Sequence, residues 1–253
     1  MDALTAGKII AVPLLLWLVS VLGRRWGAFA ASVFAGLPIV SGPVSLVITL
    51  EQGAAFAEPM AISVLPGICA CVWENVVYSW LCRRMSWLPT ITFTLLLYFV
   101  FAAMLCFASF SLTVWTAVAL AAPFVGLHVL PKKSEVWQVP PAHNGMPWLQ
   151  MFVGMMAMIA ETEGAAWLGP QWSGMLVFFP VLSGIMGMFA HMESGSEAAL
   201  RVFRGTLTGL SGATVFAVVV AWSVSSLSVA ATYGLATLAA LATSGILAFE
   251  LKH

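Results

Sequence analysis

Nine stretches of roughly twenty mostly apolar residues follow one another along this chain. An α-helix needs about 20 such residues to cross the hydrocarbon core of a bilayer. Inside lipid a backbone must satisfy its own N–H and C=O groups, which only helices and closed barrels do. The polar breaks mark the spans as Leu4–Gly23, Trp26–Leu50, Pro59–Leu81, Trp87–Phe107, Leu112–Leu130, Pro147–Trp167, Pro170–Met192, Ala199–Trp222 and Leu227–Phe249. Composition supports this choice. Only 8% of the 253 residues are Asp, Glu, Lys or Arg, against about 25% in a soluble domain. Too few charges remain to cover a water-soluble fold, and a net charge of zero supplies no basic face for nucleic acid. The expected fold is an all-α polytopic membrane protein whose first partner is the lipid bilayer. Cys69, Cys71, Cys82 and Cys106 lie in or beside apolar runs without a CxxC pair, and read as small core residues.

The basic residues orient the chain. With nine spans and the N-terminus outside, Arg24, Arg25, Arg83, Arg84, Lys132, Lys133, Arg201, Arg204 and Lys252 all fall on the cytoplasmic side, and only Lys8 lies outside. That asymmetry follows the positive-inside rule. It places the C-terminus in the cytoplasm and the chain in a bacterial inner membrane. Arg24 and Arg25, directly after the first apolar run, resist export, so that run reads as a retained span rather than a cleaved signal.

The sequence also resembles itself. One constant shift aligns the segment 27–67 with a later segment without gaps, placing Pro38 on Pro180, Ser41 on Ser183, Gly42 on Gly184, Glu51 on Glu193 and Gly67 on Gly209. Nine of the 41 positions match, where composition alone gives roughly three or four. The shift carries spans 1–4 onto spans 6–9 and leaves span 5 as a linker, a 4+1+4 plan. The units are residues 1–108, the linker and loop 109–146, and residues 147–253. They begin five spans apart, an odd number, so the second is expected upside down relative to the first, as in inverted-repeat secondary transporters.

Both units carry a break in their second span. One reads Pro38-Ile39-Val40-Ser41-Gly42-Pro43 and the other Pro180-Val181-Leu182-Ser183-Gly184. A proline inside a helix removes a donor and clashes with the preceding turn. Ser41 and Ser183 are good N-caps for a new half-helix, and Pro43 suits a first turn. Spans 2 and 7 are therefore expected to unwind near mid-bilayer, where bare backbone must face protein or a polar cavity. The half-helix ends can bind an ion or an anionic substrate group. Pro38, Ser41, Gly42, Pro43, Pro180, Ser183 and Gly184 are the expected substrate or ion site.

This layout resembles the bile-acid/sodium symporters and the sodium/proton antiporters, in which each inverted repeat holds a three-helix core unit with a discontinuous middle helix. The resemblance implies that spans 1–3 and 6–8 form the core, that spans 2 and 7 cross at the binding site, and that spans 4, 5 and 9 form the scaffold. The midplane aspartates of the antiporters are absent here.

Glu74, beside Asn75, lies inside span 3, about two-thirds of the way to the cytoplasm. A charge at that depth is expensive and functional by default, so Glu74 and Asn75 are the expected coupling residues. Nine residues, ~13 Å of helix, separate Glu74 from Arg83, too far for a pair within the span. Glu161 and Glu163 would line an outer vestibule. The His191-Met192-Glu193 string lacks the PCxxC partner of a zinc deaminase. Gly205, Gly209 and Gly212 would let span 8 approach the broken spans closely. No paired-aspartate motif, HExxH or serine nucleophile elbow occurs, so neither an enzyme nor a cofactor or metal site is expected. The reading is a secondary active transporter (a permease) of a small molecule or ion, working by alternating access with proton or sodium coupling. The alternative is a channel or a membrane-embedded accessory subunit; self-association into a homodimer stays open.

Overall fold

A computed structural model describes residues 54–108, 110–132, 148–156 and 180–252. Earlier in the chain it describes Leu14, Trp17, Leu18, Val21, Arg25, Val33, Phe34, Gly36, Leu37, Pro38, Ile39, Gly42, Ser45, Leu46, Thr49 and Leu50. Ser41, Pro43, Glu161 and Glu163 lie outside the described residues. Six helices are bounded: α1 Ala54–Leu81, α2 Trp87–Cys106, α3 Leu112–Val129, α4 Val181–Ser194, α5 Ser196–Ser223 and α6 Val229–Lys252. Residues 148–156 are also helical, and no strand occurs among the described residues. The helices α1, α2, α3, α5 and α6 are long and apolar enough to cross a membrane.

Burial separates two kinds of helix. In α1 and α5, 72% and 78% of the spanning window is buried, against 28% in α2, α3 and α6. The central pair is therefore α1 and α5. The other three present Leu96, Met104, Val125, Leu238 and Phe249 outward, as helices facing lipid must. The α1–α5 pair is antiparallel. At the end of α1, the Cys82 thiol donates to the Ser196 carbonyl at 3.8 Å and Arg83 pairs with Glu197 at 2.7 Å. At the other end, Ala61 packs with Val220, Ala221 and Val224. Arg83 also donates to the Lys132 carbonyl at 2.7 Å, and Arg204 to that of Pro131 at 3.3 Å. One end of the bundle is thus fastened by basic side chains.

The shift that relates the two halves of the sequence reappears in the backbone. It carries Ala54, the first residue of α1, onto Ser196, the first of α5, and both helices are 28 residues long. It likewise carries Trp87, where α2 begins, onto Val229, where α6 begins. The turns 82–86 and 224–228 bond alike: Met85 to Leu81 at 2.9 Å, and Leu227 to Ser223 at 2.9 Å. Val76/Val218, Val77/Val219 and Trp80/Trp222 continue the match beyond residue 67. The helix α3 packs on both α1 and α5. The Trp80 indole donates to the Val129 carbonyl at 3.1 Å, and that of Trp222 to the Thr116 hydroxyl at 3.1 Å. Equivalent tryptophans thus hold opposite ends of α3.

The expected glycine stripe divides between two neighbours. A methyl group on Gly209 would meet the Val33 carbonyl and lie 2.7 Å from the Gly36 Cα, so backbone touches backbone there. Gly212 instead abuts Ala240 and Ser244 of α6, because residues three apart on a helix differ by about 60° in direction.

Candidate functional site

The chain leaves the helix where the prolines stand. Val33, Phe34 and Gly36 are helical, whereas Leu37, Pro38 and Ile39 are bent; Gly42, Ser45, Leu46, Thr49 and Leu50 are helical again. Pro180 is likewise bent and directly precedes α4. The Gly42 N–H donates to the Pro38 carbonyl at 2.8 Å, and that of Gly184 to the Pro180 carbonyl at 2.8 Å. The second bond corrects the cap expected at Ser183. There the helix resumes at the proline, not at the serine three residues on; Ser41 lies outside the described residues. Pro180 is the N-cap residue, with φ −75° and ψ 51°, and Ser183 sits inside the first turn. A proline suits that place because the first N–H groups of a helix have no intrahelical acceptor to lose. Ser183 is then free to point at a neighbouring helix.

It points at α1. Cys71, Glu74, Asn75 and Tyr78 recur at i, i+3, i+4 and i+7, a spacing that gathers side chains on one helical face. The Ser183 hydroxyl lies beside the Cys71 thiol, and Asn75 Nδ2 approaches Cys71 Sγ at 3.5 Å. From α2, Thr94 stands beside the Glu74 carboxyl, but its hydroxyl donates to the Ile91 carbonyl at 3.2 Å. Ile91 also lines Gly184, 3.7 Å from where a Cβ would be. The second break and the acid of span 3, which the sequence singled out separately, therefore meet in one place between α1, α2 and α4.

That place is polar and unsatisfied. Elsewhere hydroxyls within helices turn back on their own backbone: Thr206 on Val202 at 3.0 Å, Ser211 on Leu207 at 3.1 Å and Thr214 on Leu210 at 2.8 Å. In an apolar medium this closes a polar group without a partner. Glu74 and Asn75 have no such outlet. They are 1% and 0% exposed, and Glu74 Oε1, Glu74 Oε2 and Asn75 Oδ1 have no hydrogen-bond partner among the described residues. Arg83, the basic residue nearest in sequence, is taken by Glu197 at 2.7 Å. An isolated buried carboxylate costs far more than a neutral group and calls for a proton or a cation.

The first break has another character. Phe216 of α5, not an acid, lies 3.4 Å from where a Cβ on Gly42 would be, and its ring meets that of Tyr233 at 5.9 Å and 67°. Phe216 is the residue that the repeat shift places opposite Glu74, so the charge belongs to one half only. Tyr78 and Tyr233 escaped the sequence reading, as did Thr94. The available signal was that the chain has just three tyrosines, Tyr78, Tyr98 and Tyr233, all within apolar spans. The described residues hold no group of three or more His, Cys, Asp or Glu able to bind a metal. No family model, curated protein or solved structure matches this chain.

Proposed function

We propose that the chain is a secondary transporter of a small solute, built as two upended four-span halves around the linker α3. In this reading it works by alternating access, with Glu74 as the group that takes the coupling proton or cation. The single observation that carries it is the buried Glu74 carboxyl, whose two oxygens, like Asn75 Oδ1, have no hydrogen-bond partner among the described residues, beside the helix that restarts at Pro180. The antiparallel α1–α5 pair, whose first residues Ala54 and Ser196 correspond under the repeat shift, supports the inversion. Inversion gives two near-equivalent conformations, one open to each side. When Glu74 is charged it disfavours an apolar, closed surrounding, and once neutralised it tolerates closure. Solute and ion occupancy are coupled if both are required before the halves rock.

The test is gradient-driven uptake into proteoliposomes. A proton or sodium gradient should drive uptake that saturates with solute. Glu74→Gln should reduce it to background while the protein still elutes as a folded monodisperse peak. Undiminished coupled uptake in that variant removes Glu74 from the mechanism. Flux that never saturates favours the channel reading instead.

A further inference from the structure

Two hydrogen-bonded ties join the half-helices to the rest of the molecule, and they stand at corresponding places. The repeat shift that puts Pro38 on Pro180 also puts Thr49 on His191. Thr49 Oγ1 meets the Tyr233 hydroxyl at 2.6 Å, and His191 Nδ1 meets the Tyr78 hydroxyl at 3.2 Å. Each tie crosses between halves of the chain. Tyr233 of the second half holds the stretch around Thr49 in the first, and Tyr78 of the first half holds α4 in the second. They lie at opposite ends. Tyr78 is one turn from the end of α1, where Arg83 meets Glu197. Tyr233 is one turn into α6, which begins after the turn at the far end of α5.

The two ties differ in strength. A hydroxyl has one proton to give, which fixes the directions at Tyr233. Thr49 donates to the Ser45 carbonyl at 2.8 Å. Tyr233 must then donate to Thr49, and Ser45 Oγ donates to Tyr233 at 2.7 Å. Three bonds close a ring in which every proton is used, with Tyr233 6% and Thr49 1% exposed. Tyr78 has one longer bond to a half-buried histidine, supported by ring contacts with His191 at 5.9 Å and Phe203 at 4.6 Å.

The geometry points to a pair of latches, one at each face, that close the polar site of Glu74, Cys71 and Ser183 from both sides, with the latch at the basic end the weaker. This rests on the alternating-access reading. The site opens first toward the basic end, and opening toward the other face requires the three-bond ring to break.

Tyr78→Phe and Tyr233→Phe keep the rings and remove only the hydroxyls. In lipid nanodiscs, Tyr233→Phe should speed amide exchange in peptides spanning 42–50 by about fivefold, the effect of roughly one net hydrogen bond, and leave 181–194 unchanged. Tyr78→Phe should do the reverse. Thr49→Val, which also opens the ring, should match Tyr233→Phe. With the native cysteines replaced and Ser183→Cys as reporter, a membrane-impermeant maleimide should label wild type slowly and only from the basic face. Tyr233→Phe should add labelling from the opposite face. Unchanged exchange in all three variants overturns the latches alone, and a lower melting temperature without it marks the tyrosines as packing residues. Faster exchange confined to the released half-helix, but with no side-specific labelling, overturns gating and with it the alternating-access reading.

Discussion

Glu74 concentrates the chemistry in one side chain, because its two oxygens are buried without a partner while Thr94 stands beside it and Ser183 stands beside Cys71, one turn away. Glutamine preserves its shape and removes the titratable group, which is why Glu74→Gln separates coupling from folding. Cys82 makes a second residue-scale prediction. It lies just beyond α1, buried, with its one thiol proton shared between the Ser79 carbonyl at 3.3 Å and the Ser196 carbonyl at 3.8 Å. Burial pushes that thiol up to about 11, against the weaker opposing effect of Arg83. Since thiolate is the reactive form, Cys82 should stay unlabelled by maleimide at neutral pH in the folded protein and label fully in denaturant. Rapid labelling in the native state would show that the 82–86 turn opens.

Between elements, the closest approach is backbone on backbone. Gly36 and Gly209 leave no room for a side chain, since a methyl group on Gly36 would meet the Thr206 carbonyl and lie 2.9 Å from the Gly209 Cα. Gly36→Leu should destabilise the fold by about 1–3 kcal/mol, the usual cost of overpacking. Gly234 has nothing within 4 Å of its Cβ position, so Gly234→Ala should be neutral or stabilise α6 by about 0.5–1 kcal/mol. Thermal unfolding in detergent reads both, and equal effects would deny the close packing. Helix bounds were largely legible in the sequence. Trp87, Leu112 and Leu81 bound their helices where the polar breaks predicted, because lipid permits little backbone outside a helix. The break at Pro38 was legible for the same reason. The cap was not: serine preference pointed to Ser183, but Pro180 restarts the helix. Nor were the tyrosine ties visible, since Ser45 and Tyr233 are far apart in sequence and no local pattern links them.

Across the whole molecule, one relation between the halves matters most. The helices α1 and α5 run antiparallel though their bounds and following turns match residue for residue under one offset. Equivalent tryptophans grip opposite ends of α3, and in the proposed architecture the pseudo-twofold axis crosses that linker. Equivalent turns must then lie on opposite membrane faces. The turns 82–86 and 224–228 offer the direct test, since Arg84 and Ser226 are both exposed. With native cysteines replaced, Ser226→Cys should react with an impermeant maleimide applied outside intact cells, and Arg84→Cys only after the membrane is permeabilised. Labelling of both positions from the same face would contradict the inverted architecture and the transport mechanism built on it.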